Sequence, residues 1–84
     1  EELREYINAY LTEMSDIIRS RHRGTLDKYI GDAIMAFWGA PVADPGHARH
    51  AVEAALDMQR HCDVLNARFR VRGWPPLRIG VGIN

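Results

Sequence analysis

The sequence predicts an α+β fold in which amphipathic helices cover one face of a small sheet, and three observations predict it. Between Glu1 and Arg23 the apolar residues fall at Leu3, Tyr6, Ile7, Tyr10, Leu11, Met14, Ile17 and Ile18, the i, i+3, i+4, i+7 series of a helix. Two β-prone runs, Thr25 to Ile30 and Ala33 to Trp38, are separated by Gly31 and Asp32 alone, the spacing of a tight hairpin. A second helical seam (Ala48, Ala51, Ala55, Met58, Cys62, Leu65, Phe69) precedes an alternating run of Leu77, Ile79, Val81 and Ile83. Helix, hairpin, long helix, strand is the order of a partial ferredoxin-like sandwich.

Each element has local causes. Gly24 supplies the stop for the first helix. A glycine-first loop at Gly31-Asp32 suits a type II′ turn, which holds Asp32 at a rigid corner. Strict alternation puts Leu26, Lys28 and Ile30 on one strand face and Asp27 and Tyr29 on the other. Gly39-Ala40-Pro41 ends the second strand, and Asp44-Pro45 sets a capping carboxylate ahead of a proline at the first helical position. The seam that follows is small-sided early and large-sided late, so its early end allows close approach to a sheet or a helix. Arg68, Arg70 and Arg72 finish this helix as a solvated, dipole-complementing end before Gly73 and Pro75-Pro76 break it. In the last run Gly80 and Gly82 leave one strand face nearly bare, open to a helix, backbone or ligand.

Composition narrows the function. Eighty-four residues make one small domain with a modest core. Eleven basic and eleven acidic residues cancel to a formal charge of zero, so no global field draws nucleic acid or an anionic membrane, and an anionic substrate must be held by local groups or metal. An RNA-binding domain of the same topology would need exposed strand aromatics and a basic face, which the sequence lacks. The single cysteine, Cys62, forms no intramolecular disulfide and reads as a small buried hydrophobe. No apolar run approaches the roughly 20 residues a bilayer requires, which makes a cytoplasmic setting the default and leaves membrane contact to regions outside the chain. His47 and His50 share a helix face without a third ligand at metal spacing, so zinc is not assigned. Tyr6, Tyr10 and Phe69 fit core or dimer packing better than base stacking.

The hairpin carries the chemistry. Asp32 at its tip is, on its own, either a turn residue or a ligand for a hard cation. Lys28, the chain's one lysine beside ten arginines, stands in an apolar row and needs an acceptor or a ligand; its bland reading is a strand lysine paired with Asp27. The stretch from Asp27 through Lys28-Tyr29-Ile30-Gly31-Asp32-Ala33-Ile34-Met35-Ala36-Phe37-Trp38-Gly39 to Ala40-Pro41 resembles the signature of class III adenylate and guanylate cyclase catalytic domains, and Ile79-Gly80-Val81-Gly82-Ile83-Asn84 resembles that family's next core strand. The resemblance covers essentially the whole chain and implies that residues 1–84 are the central part of such a domain, truncated at both ends.

It further implies that Asp32 is one of two carboxylates binding a pair of Mg²⁺ or Mn²⁺ ions, with the Gly31 backbone near the phosphates or metal. Lys28 takes the position that reads the adenine of ATP, where GTP-using members carry an acidic residue. The complete domain would then convert ATP to 3′,5′-cyclic AMP and pyrophosphate in intracellular signalling. It would act as a head-to-tail homodimer whose sites each draw metal ligands from one subunit and the lysine from the other. The family's first metal aspartate, in a strand ahead of the first helix, its second base-selecting residue and its transition-state Asn and Arg have no counterpart in the 84 residues, so the isolated chain is expected to be inactive. A catalytically inert dimerisation or nucleotide-sensing module is the alternative.

Overall fold

The first helix, α1 (Glu2–Asp16), continues as a π-helical turn over Ile17–Arg21 in this computed structural model, which describes residues 2–84. Glu1, included in the expected helix, lies outside the described residues. Ile17 and Ile18 are both buried in the widened turn. β1 (Thr25–Ile30) and β2 (Ala33–Phe37) form a two-stranded antiparallel sheet, and α2 (His47–Val71) packs beside α1. Met14 and Ile17 from the first helical stretch meet Cys62, Leu65 and Phe69 from α2 in one core. Ile34 of the sheet and Leu77 and Ile79 of the final segment close over it. Helices cover one sheet face, as the sequence predicts.

The expected aromatic packing is present: Tyr6 and Phe69 stack with ring centroids 4.8 Å apart, and Trp74 meets Tyr6 edge-on at 5.6 Å. On α2 the seam begins later than its spacing suggested. Ala54, Cys62, Leu65 and Phe69 are buried, whereas Ala48 is exposed because the helix has only just begun there, beyond the end of α1. Asp44, the expected cap, stands two residues ahead of the observed one. Its Oδ1 accepts from the Gly46 N–H at 2.9 Å and its backbone oxygen from the His47 N–H at 3.0 Å, so Gly46 is the N-cap and Pro45 lies in the preceding turn. The arginine run at the other end is more than solvated. Arg68 bonds Glu13 at 2.8 Å, while Arg72 bonds Glu5 at 2.7 Å and lies over the Trp74 ring, tying α2 to α1.

Gly24 has a different task from the one its sequence position suggested. Arg23, at φ 57°, takes the left-handed conformation that ends the helix, and the Gly24 N–H closes it by donating to the Ile18 oxygen at 2.8 Å. The bare Cα of Gly24 instead admits Trp38: a Cβ there would stand 2.7 Å from both Ile18 Cγ2 and Trp38 Cζ2. The Trp38 indole N–H donates to the His22 carbonyl at 2.7 Å, pinning the end of the hairpin to the end of the first helix.

Residues 77–83 form no strand. No neighbouring strand among the described residues pairs with them, and side-chain amides of α2 serve the backbone instead. Asn66 Oδ1 accepts from the Leu77 N–H at 2.6 Å and Asn66 Nδ2 donates to the Leu77 oxygen at 3.0 Å, while Gln59 Nε2 donates to the Ile79 oxygen at 3.0 Å.

Candidate functional site

The hairpin register sets the site. Ile30 pairs with Ala33, which leaves Gly31 and Asp32 as the loop; Gly31 has φ +60°, and Asp32 is not left-handed, the combination that defines type II′. Asp32 therefore stands exposed on a fixed corner. Alternation fails once, at Asp27: Leu26 pairs with Ala36 and Lys28 with Met35, so Asp27 is a bulge. The bulge moves Leu26 to the helix-facing side with Tyr29, Ile34 and Ala36, correcting the expected grouping with Lys28 and Ile30. The outer face carries Lys28, Ile30, Ala33, Met35 and Phe37, all exposed. On the inner side Tyr29 reaches α1, its hydroxyl sharing a 2.7 Å hydrogen bond with Ser15 Oγ.

Lys28 is not buried; its ammonium lies 4.0 Å from the Asp27 carboxylate, a loose solvent-exposed pair that leaves donors free for a ligand. Asp32 opens onto a cleft of about 230 Å³ whose other walls are Tyr6, Ile7 and Tyr10 of α1, Ala33 of β2 and residues 77–80. Burial, with the Asp32 charge adding to it, raises the Tyr10 hydroxyl above the usual phenol range. Among the described residues that line this cleft, Arg78 is the cation and Asp32 the carboxylate. Lys28 and Asp32, singled out in the sequence, thus lie on the same hairpin but face different spaces, the outer sheet face and the cleft.

Arg78 and Asn66 were missed. The signal for Arg78 is its place one residue into a segment that runs beside the hairpin. Asn66 sits next to Leu65 on the seam side of α2, where a polar side chain demands partners. Cys62 is buried, and burial raises its thiol pKa. His50 Nδ1 donates to Asp44 Oδ2 at 2.6 Å, so the histidine three residues after His47 serves the helix start. No described helix is long and apolar enough to cross a membrane.

The chain is 34% identical over 84 residues to adenylate cyclase 1 of Rhizobium meliloti, covering 100% of this chain and 12% of that protein. It is 36% identical over 87 residues to an adenylate cyclase of Anabaena cylindrica, covering 99% and 16%. The fold matches the crystal structure of the adenylyl cyclase CyaB from P. aeruginosa (TM-score 0.84, 35% identity, 92% of this chain and 40% of that one). It matches the guanylyl cyclase Cya2 equally well (0.85, 32%, 92% and 39%). These likenesses support a fragment of a class III nucleotide cyclase catalytic domain. No family model matches the chain. The cyclase segment spans only a small part of its curated relatives, and an adenylyl and a guanylyl cyclase resemble it equally, so the cyclase fold alone does not choose the base.

Proposed function

We propose that the chain is the central part of an adenylate cyclase catalytic domain, a phosphorus–oxygen lyase that converts ATP to 3′,5′-cyclic AMP and pyrophosphate in cytoplasmic signalling. The observation that carries this reading is the hairpin: an exposed ammonium with free donors on its outer face and a lone carboxylate fixed at its tip. Among the described residues the edge of β2 is unpaired, and the cleft between it and residues 77–80 supports a further strand there.

Asp32 fits Mg²⁺ or Mn²⁺. Such hard ions take one or two protein carboxylates and draw their remaining oxygens from water and phosphate, and among the described residues no cluster of three metal-ligating side chains forms a closed cage. When bound, a pair of ions would lower the pKa of the ribose 3′-hydroxyl and neutralise charge at the α-phosphate. Asp32 would hold them from one side, and Gly31, with open space where a Cβ would stand, lets phosphate oxygens approach the turn. The Arg78 guanidinium suits a phosphate fork-to-fork. Lys28 donates to adenine N1; guanine presents an N1–H donor at that position, which an ammonium cannot accept. The exposed apolar outer face around Lys28 supports a head-to-tail homodimer in which Lys28 and Asp32 serve different sites.

The test is cyclic nucleotide production from ATP and from GTP, with Mn²⁺ and with Mg²⁺, by the uninterrupted protein and its Asp32→Ala variant, beside the isolated 84-residue chain. Product from ATP alone that disappears in the variant, with the isolated chain silent, is the expected result. Product from GTP overturns the role of Lys28. Silence of the uninterrupted protein with both nucleotides replaces the enzyme with an inert cyclase-like module, and turnover by the isolated chain overturns the need for flanking residues.

A further inference from the structure

Lys28 does not stand alone on the outer face of the hairpin. Counting back from the Ile30–Ala33 pair that closes the turn, Lys28 stands directly opposite Met35, its cross-strand partner, and side chains so paired have Cβ atoms about 4.5–5.5 Å apart. Met35 is 45% exposed and Ile30, next along the same face, 58%, although Ile34 on the other face packs against the core. A thioether held open to solvent beside an ammonium is a poor arrangement for a monomer surface and a good one for a flat, polarizable ring carrying an acceptor on its edge. Methionine packs favourably against aromatic rings and adapts its three torsions to their position, while the neighbouring ammonium supplies the in-plane hydrogen bond.

We infer that Met35 is a base-contacting residue: its side chain forms the apolar floor on which the purine ring lies while Lys28 reads the ring edge. This rests on the nucleotide-cyclase reading and deepens it by dividing base recognition between two cross-strand neighbours. The division has a kinetic signature. Ring faces are common to adenine and guanine, so loss of the floor weakens both nucleotides by the same factor. Ring edges differ, so loss of Lys28 changes their ratio.

The experiment uses the uninterrupted protein and its Met35→Ala, Met35→Leu and Lys28→Ala variants, with KM and kcat measured for ATP and GTP and the oligomeric state followed by sedimentation. Met35→Ala is expected to raise KM for both nucleotides by about tenfold, the size of the effect when a ring loses its burial against a few methylene-sized groups. The ATP-to-GTP ratio of kcat/KM and the oligomeric state stay unchanged. Met35→Leu, which keeps the apolar bulk, returns KM to within about twofold of the parent, and Lys28→Ala shifts the ratio. An unchanged KM in an active Met35→Ala protein overturns the inference, as does a loss of association in that variant, which would make Met35 an interface residue instead. An uninterrupted protein silent with both nucleotides overturns the cyclase reading itself, an outcome distinct from either of these.

Discussion

Asn66 fastens one wall of the Asp32 cleft, and replacing it tests whether a single side-chain amide stands in for a strand neighbour. The amide makes two bonds to the same residue, accepting from the Leu77 N–H at 2.6 Å and donating to the Leu77 oxygen at 3.0 Å, with Asn66 half-buried. Each neutral bond of this kind contributes about 0.5–1.5 kcal/mol net, so Asn66→Leu removes about 1–3 kcal/mol from the stability of the segment against local opening. At 1.4 kcal/mol per factor of ten, amide exchange at Leu77 should accelerate by about 5- to 150-fold. The loss should stay local, since the core of Met14, Ile17, Leu65 and Phe69 does not depend on the amide.

Asn66→Asp separates the two bonds. Its carboxylate still accepts from the Leu77 N–H but sets a second oxygen against the Leu77 carbonyl, where the parent has a donor. Protonation restores a donor at that oxygen, so exchange at Leu77 in this variant, corrected for its intrinsic pH dependence, should slow again as pH falls through the carboxyl pKa. Hydrogen exchange read by mass spectrometry or NMR on the purified protein measures all three. Exchange at Leu77 that is the same in parent and Asn66→Leu would refute the reasoning and assign the segment's position to the apolar contacts of Leu77 and Ile79 alone.

Two other outcomes follow from the packing and the ion pairs. Gly24→Ala drives a Cβ to within 2.7 Å of a rigid indole and of Ile18; overpacking plus a weakened Trp38–His22 bond should cost about 2–4 kcal/mol, which for a domain of this size lowers Tm by roughly 10–25 °C in a calorimetric scan. In acid, the hydrogen bond from Arg68, aided by His61, holds the Glu13 carboxyl below its usual range, and His22 and His50 do the same for Asp57 and Asp44. Carboxyls lowered on folding stabilise the protein above their unfolded values near pH 4 and lose that contribution as pH falls through the lowered folded ones. Tm should therefore drop on acidification below about pH 4, with a shallower acid limb for Glu13→Gln; parallel limbs would show that the Glu13 pairs contribute nothing.

Helix periodicity and turn chemistry were legible because both are local. The spacing of Tyr6, Tyr10 and Met14 and of Cys62, Leu65 and Phe69 specifies two faces that bury each other, and a glycine followed by aspartate between β-prone runs specifies the turn. Three features were not legible, and each depends on residues distant in sequence. The place of Gly24 is set by Trp38, which returns to it only once the hairpin has formed. The final run has the alternation of a strand, but a strand exists only by its neighbours, and here the partners are amides of α2. The pairing of Arg68 and Arg72 with α1 follows from the register between two helices, which periodicity does not fix.

The bulge at Asp27 shows how a departure from pattern can be required by the contacts on either side of it. Leu26 is half-buried beneath the hairpin, and Tyr29 must face the same way for its hydroxyl to meet Ser15. Three positions apart, they fall on opposite faces of any regular strand. One extra residue between them removes the conflict, and the residue best suited is one whose side chain gains nothing from burial. An aspartate fills that place. The two-residue turn aligns Lys28 with Met35 through the Ile30–Ala33 and Tyr29–Ile34 pairs, and the bulge leaves a carboxylate beside the ammonium. The turn therefore sets the outer face for a ligand while the bulge lets Leu26 join Tyr29 on the inner face, so a change at Ser15 or Tyr29 that let the strand slip back into alternation would turn Leu26 outward and leave Lys28 opposite Met35.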